Sequence, residues 1–325
     1  MSSAVGTPGP ARRLVAQAGL LDAETAGADV APAIARDEVA SACAAISVLR
    51  HVATYTYQVP ITRMEHRLVV IPRRVHGDQR RIEHRFRVLV DEARDPTLLH
   101  TGTDAFGNTV VDIHAHGVDD RISFETTAVL SRVLGEPGPR WHHGAVDPRT
   151  ALTSPGAALS RAARDTDGPG GDTDRARRVM ARVAEHVAYG KGATGVRTTA
   201  AEAWDMGRGV CQDMAHVMIA MCTELGIPAR YASGHLVGEG ASHAWVEVLD
   251  AATGAVTAFD PTHDRVTDLR YVTVAVGRDY SDVSPTAGTV WADAASGGRL
   301  EIRKEFRVVS VGMRKREEEH DAANG

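Results

Sequence analysis

The apolar residues of this 325-residue chain change their spacing twice, and that change limits the folds open to it more than any other feature. From Ser47 to about Val133 the period is two. Val48, Arg50, Val52, Thr54 and Thr56 run in one phase, and Ile82, His84, Phe86 and Val88 repeat the pattern of half-buried strands. Pro60, Pro72, Gly77 with Asp78, and Phe106-Gly107-Asn108 punctuate these runs as turns. From residue 174 the period becomes helical, with Ala176, Val179, Met180, Val183 and Val187 on one stripe. Thr199-Ala-Ala-Glu202 is a capping-box pattern and predicts a short helix to Met206. After Gly207-Arg-Gly-Val a longer helix is predicted over 211–225, stopped by Gly226 and Pro228. Strands are then predicted over 229–237, 244–249 and 256–260. This order has no βαβ rhythm, so it predicts an α+β fold. An N-terminal β-sandwich-like domain would precede a core whose helices pack on an antiparallel sheet.

Turn-rich and polar stretches set the expected boundaries. Residues 1–45 read as a poorly ordered leader with one short helix over 37–46. Residues 46–135 read as the β domain, with six or seven strands and no chemistry. Residues 136–173 read as a linker, between Gly135–Pro139 and the Asp165–Asp174 run, and 174–312 as the domain that carries chemistry. Residues 313–325 form a charged tail. Trp141, His142 and His143 lie in the linker. Neighbouring histidines rarely aim at one ion, so no metal is expected there.

With 43% hydrophobic and 24% charged residues the chain has the makings of an ordinary core. A formal charge of −5 gives no electrostatic case for nucleic acid or an anionic membrane surface. No apolar run reaches the roughly 18 residues of a membrane span, and Gln17 and Gly19 break the Leu14–Leu21 stretch, so a cytoplasmic protein is expected. Cys43, Cys211 and Cys222 form no CxxC pair, which argues against a zinc site or a disulfide framework. No calcium loop is present and no cofactor is implied.

Cys211 stands where the predicted long helix begins. The positive end of a helix favours an anion by up to about 2 kcal/mol. The rest of a thiol's activation has to come from a nearby cation. His216 lies five residues on, about 500° round the helix, and is a poor partner. His243 opens one predicted strand and Asp260 ends the next. If their hairpin centres near Ala252, His243 lies level with residue 261 or 262. A two-residue offset then puts His243 and Asp260 on one face. Nucleophile, base and orienting carboxylate therefore occur in chain order. The Cys211 backbone N–H is a natural oxyanion donor. Trp204, Gln212 and His235 are further candidates for the oxyanion hole or cleft, and His263 for its lining. Cys222, about 16 Å along the same helix, and Cys43 read as structural thiols.

Around these residues the chain resembles the bacterial transglutaminase-like proteins of the papain-like superfamily. Gly209-Val-Cys-Gln-Asp-Met-Ala-His216 resembles that family's nucleophile motif. Gly226–Gly234, Ser242-His-Ala-Trp-Val-Glu247, Phe259-Asp-Pro-Thr262 and Val274–Val283 resemble the blocks that follow. Thr54-Tyr-Thr-Tyr57, Arg67–Pro72, Gln79 and Asp104–Asn108 resemble the β domain that precedes the core in bacterial members, so the likeness covers roughly 46–312. One departure stands out: Ser284-Pro285 replaces the usual Pro-Pro, and Thr289-Val-Trp follows where Gly-Val-Phe is typical. The resemblance implies a Cys–His–Asp triad on Cys211, His243 and Asp260. It implies acyl transfer from a peptide or other amide through a thioester. Hydrolysis is the first expectation and transfer to an amine acceptor the second. A non-catalytic interaction protein that keeps the fold is the alternative from another class.

Overall fold

The computed structural model describes residues 34–94, 98–141, 149–293 and 297–313. His142, His143, most of the leader and the tail from residue 314 lie outside the described residues. A short helix α1 (Arg36–Ser41) leads into strands β1 (Ala44–Tyr57), β2 (Ile61–Ile71), β3 (Val75–His76), β4 (Gln79–Val90), β5 (Ala93–Arg94), β6 (Leu98–Thr103), β7 (Thr109–Val118) and β8 (Arg121–Val133). Helices α2 (Ala157–Thr166) and α3 (Asp172–His186), strand β9 (Ala188–Tyr189), helix α4 (Ala200–Met206), strand β10 (Arg208–Gly209) and helix α5 (Cys211–Glu224) follow. Then come β11 (Ala229–Leu236), β12 (His243–Leu249), β13 (Val256–Asp260), β14 (Arg265–Val266) and β15 (Tyr271–Gly277). A short helix α6 (Tyr280–Val283) precedes β16 (Thr286–Trp291) and β17 (Gly298–Gly312).

The expected α+β class holds. One sheet runs β17-β1-β8-β4-β3 with β5 on β4, a second runs β16-β2-β7-β6, and the core sheet runs β14-β13-β12-β11-β15. The first two enclose an apolar interior that includes Ala53, Tyr57, Met64, Leu68, Ile113 and Phe124. Strand β1 is shared between the two halves. Ala53 and Tyr57 enter that interior, whereas Leu49, on the same buried phase, joins the core cluster around α5.

Three expectations need correction. The segment 286–312 does not belong to the sheet that carries His243 and Asp260. β16 pairs with β2, and β17 pairs with β1 along its length, so both complete the N-terminal sheets. The reason is non-local: each offers a free strand edge a partner more than 200 residues away. The stretch 136–173 is not a plain linker, because α2 packs on α5 and α4, and the 167–171 turn is tied by ion pairs from Arg175 to Asp167 and Asp172. The leader helix ends at Ser41, and β1 begins at Ala44.

Helix α5 is buried from Asp213 to Cys222. Helices α2, α3 and α4 cover one side, and β11 and β12 lie against the other. An all-round apolar helix belongs in such a place. The opposite face of the core sheet meets the β region. There β15 is an edge strand, and two side-chain amides stand in for a neighbouring strand. Asn108 bonds Val276 through both its Nδ2 (2.7 Å) and its Oδ1 (2.9 Å), and Gln79 bonds Thr273 likewise at 2.8 and 2.9 Å. The edge is thereby closed to other strands.

Candidate active site

Local chemistry places the thiol. Thr199 and Glu202 form the expected capping box of α4, and Gly207 ends that helix in the left-handed region at φ 60°. At the start of α5, Asp213 reaches back and accepts from the Val210 backbone N–H at 2.7 Å and from Thr194 Oγ1 at 2.6 Å. A Cβ on Gly209 would lie 2.6 Å from Asp213 Cβ, so this turn needs glycine. Cys211 is the first residue of the helix, half-buried, with the unpaired N–H groups of the first turn around it.

The hairpin places the other two groups. Asp250 accepts from Thr253 N–H at 3.0 Å, and Gly254 supplies φ 71°. The resulting register pairs Val246 with Phe259 and Glu247 with Ala258. Extended to the strand start, it sets His243 level with residue 262, as the sequence predicted. His243 and Asp260 therefore share a face, and His243 Nε2 lies 2.8 Å from Asp260 Oδ2. The Cys211 thiol lies close enough to the same imidazole to raise its pKa. With Nε2 on Asp260, Nδ1 is the nitrogen left for the thiol, and Glu239 Oε2 lies 3.4 Å from it.

Both His243 and Asp260 are buried. Burial works against a charged imidazole, but the bond to Asp260 and the nearby Asp260 and Cys211 outweigh it and raise the His243 pKa to about 10. Burial likewise works against a charged Asp260. Hydrogen bonds from His243, His263 and Tyr271, with the charge on His243, hold its carboxyl well below the usual range. Its Oδ2 takes His263 Nδ1 at 2.8 Å and the Tyr271 hydroxyl at 2.7 Å, and Oδ1 takes the Thr262 N–H at 2.9 Å. The site thus brings a negative carboxylate, a protonated imidazole and a thiol together.

The strand beneath is fitted to this arrangement. Gly234 pairs with His243 across β11 and β12. A Cβ there would overlap the Val272 carbonyl oxygen and lie 2.6 Å from the Trp245 ring. Trp245 packs edge-on against Tyr271 at 5.5 Å.

The remaining candidates go elsewhere. Trp204 stacks on His186 at 3.7 Å, beneath the Arg182 guanidinium. The Gln212 side-chain amide is turned to the Val196 carbonyl at 3.4 Å. His235 faces His51, Lys304 and Phe306 of the β region instead of the triad, because β11 runs on past Gly234 under β1 and β17. His216 accepts from the Tyr280 N–H at 3.1 Å, and burial lowers its pKa to about 4. Cys222 is buried, which pushes its thiol up to about 12, and Cys43 donates to the Gly312 carbonyl. His263, near the site in sequence, does join it. Tyr271 and Tyr189 were not singled out. Tyr189 is half exposed and close enough to feel the charges of Cys211 and Glu239. Only the pairing of β9 with β10 brings it there, and two residues of strand leave no sequence signal.

Ligand atoms of His243, Asp260 and His263 lie within 4.8 Å of one another, close enough for a metal. Both imidazoles, however, already bond Asp260 Oδ2, and an ion would have to break those bonds.

Residues 160–261 match the transglutaminase-like superfamily, and residues 48–131 match the bacterial transglutaminase-like N-terminal region. An uncharacterized protein of Mycobacterium leprae is 44% identical over 110 residues, which is 31% of this chain and 38% of that one. One from Mycobacterium bovis is 33% identical over 132 residues, 36% of this chain and 42% of that one. The matches thus span 38% and 42% of these curated relatives' lengths. A Cytophaga hutchinsonii structure, classed provisionally as a cysteine protease, superposes with a TM-score of 0.63 at 21% identity, over 83% of this chain and 93% of that one; this is a likeness of fold. Two successive family matches on a fold of this kind make the chain a transglutaminase-like protein, with a transglutaminase-like core behind a bacterial transglutaminase-like N-terminal region.

Proposed function

We propose that the chain is a cysteine-dependent enzyme that cleaves an amide, most simply in a peptide, through a thioester on Cys211. The observation that carries this reading is the His243 imidazole, bonded to a buried, ionised Asp260 and close enough to Cys211 for the thiol to raise its pKa. The Cys211 sulfur, its proton held by His243, attacks the amide carbon. The tetrahedral oxyanion meets backbone N–H groups at the start of α5. His243 then gives its proton to the departing amine, leaving the thioester and a neutral imidazole. Water enters, His243 takes one of its protons, and the hydroxide equivalent attacks the thioester. The acid leaves and the thiol is restored, so atoms and protons balance.

Asp260 keeps the imidazole oriented and stabilises its positive form. Tyr189, half exposed beside the thiol, would form a wall for the substrate. Water at about 55 M favours hydrolysis unless an amine is bound and positioned. The test is to incubate the chain with a mixed peptide library and follow covalent adducts and products by mass spectrometry. The expected result is an acyl adduct on Cys211 in the wild type, a free acid as product, and no adduct in Cys211→Ala. Amide products that incorporate an added amine in preference to water would mark an amide-forming transferase. Turnover that survives Cys211→Ala would overturn the reading.

A further inference from the structure

Strand β17 lies at the end of its sheet and, among the described residues, pairs with β1 alone. It is long for an edge strand, from Gly298 to Gly312, and every residue from Gly298 to Arg303 is exposed. Leu300 and Ile302 are each 41% exposed. Lys304 and Phe306 follow on the same face and turn inward beside His51 and His235. Leu300 and Ile302 are therefore an apolar pair at the open end of the strand. No proline interrupts β17, and its bulge lies at the far end, opposite Ile46 and Ser47. Short length, proline and bulges are what usually keep an edge from pairing with another chain.

The backbone phase says which groups are free. The Gln58 N–H donates to the Gly297 carbonyl at 3.1 Å, in step with the β1 register. Hydrogen-bonded pairs alternate along an antiparallel ladder. Residues 299, 301, 303 and 305 therefore bond β1, and residues 298, 300, 302, 304 and 306 aim their N–H and C=O groups outwards. Val308, next in that series, shows the same phase, because its carbonyl accepts from the Ile34 N–H at 3.2 Å on the outer side. That contact covers the strand at Val308. From Gly298 to Phe306 the outward groups are open among the described residues.

We propose that β17 pairs with β17 of a second copy of this chain, antiparallel about a two-fold axis through Ile302, so that one sheet runs through both copies. Charge selects that register. With Ile302 on the axis, Glu301 stands opposite Arg303 of the second copy and Arg299 opposite Glu305, and each pair occurs twice. These pairs fall at the non-hydrogen-bonded positions, where Cα atoms are only about 4.5 Å apart and side chains interact most closely. Ile302 meets Ile302, and Leu300 meets Lys304. An axis moved to Glu301 or to Arg303 would set Glu against Glu and Arg against Arg. An axis at Lys304 would lay Leu300 on Val308, whose carbonyl Ile34 already takes. The leader before Ile34 is rich in alanine, glycine and proline, which suit a strand poorly, so a second copy fits this edge better than the chain's own N-terminus.

Sedimentation equilibrium of the full chain should show monomers passing to dimers as concentration rises. Glu301→Arg and Arg303→Glu each set like charges against one another twice, and each should weaken the dimer at least about tenfold. The double variant Glu301→Arg/Arg303→Glu restores opposite charges and should return to within about threefold of wild type. Ile302→Pro removes only an outward N–H, so the β1 ladder stands and the dimer should be lost. Ile302→Cys should cross-link to its own copy on oxidation, because a hydrogen-bonded pair sets the Cα atoms about 5.5 Å apart, within reach of a disulfide. Leu300→Cys, which meets Lys304 and not itself, should not cross-link. A chain that stays monomeric up to about 0.5 mM would overturn the proposal, even for an interface as small as one strand edge. A dimer that ignores both single swaps, or that the double variant fails to restore, would overturn it too. If Ile302→Pro does not fold, the charge variants, which change only exposed side chains, still decide.

Discussion

Two buried carboxylate–imidazole pairs lie on one face of the core sheet and behave in opposite ways. Asp260 bonds His243 at 2.8 Å, and Glu247, further along β12, bonds His76 at 2.7 Å; both carboxylates have no exposed surface. His243 is raised to about 10, while His76 is lowered to about 4. The difference lies in the other donors. Arg140 Nε lies 2.9 Å from Glu247 Oε1, and Arg230 NH2 lies 2.7 Å from Oε2. Burial already disfavours a charge on His76, and the two guanidiniums repel one there even though Glu247 attracts it. Asp260 has a hydroxyl, a backbone N–H and a second imidazole as its other partners, so its negative charge is left for His243. A carboxylate neutralised by arginines is a rivet between the core and the β region. The same group supported mainly by neutral donors sets up an imidazolium beside a thiol.

The largest contrast should come from neutralising each carboxylate. Asp260→Asn should cut kcat/KM by up to about 10⁴, the loss known for the same change in serine enzymes, with the fold kept as judged by circular dichroism. Glu247→Gln should leave the folded enzyme's rate within a few-fold of wild type. It should cost about 3–5 kcal/mol in denaturant unfolding, because Arg140 and Arg230 keep buried charges without a partner. A stable, inactive Glu247→Gln beside an active Asp260→Asn would break the comparison.

Next in size is the response to pH. His76 is lowered, so below about 6.5 the unfolded chain takes up a proton that the folded chain refuses. Stability should therefore fall between pH 6.5 and about 4, by up to about 3 kcal/mol for this group. His51, His66 and His216, also lowered to about 4, act in the same window. His243 is raised, so its contribution is complete below about 6.5 and is lost as the pH climbs towards about 10. The alkaline limb of kcat/KM should lie near 10 and move down in Asp260→Asn. A limb fixed near 6.5 in both proteins would remove His243 from its assigned role. The smallest effect expected is that of Tyr271→Phe. Loss of one donor to Asp260 should lower kcat/KM by about tenfold and displace the alkaline limb, a shift that a purely structural tyrosine would not cause.

The sequence was most informative where contacts are local. The capping box at Thr199, the stop at Gly226 and the hairpin at Gly254 each depend on residues within a few positions, and each was legible. The hairpin register then brought His243 and Asp260 to one face. The carboxylates' opposite behaviour was not legible, because Glu247 draws on His76 and Arg140, 171 and 107 residues away. Tyr271 reaches Asp260 from β15, on the far side of β11 and β12. β17 has the alternation of a strand and nothing in its sequence to name β1 as its partner. The placement of His235 against the β region was not legible, because closeness in sequence to His243 says nothing about which layer a neighbouring strand faces.

The most direct test of the central claim asks whether His243, and neither buried neighbour, activates Cys211. Alkylation by iodoacetamide at pH 7 is followed residue by residue by mass spectrometry in the wild type, His243→Ala, His216→Ala and His76→Ala. Cys211 should label ahead of Cys43 and far ahead of Cys222, whose thiol is pushed up to about 12. Its rate should fall by about tenfold or more in His243→Ala and hold near the wild-type value in folded His216→Ala and His76→Ala. A Cys211 rate unchanged without His243, or lost without His216, would contradict the account.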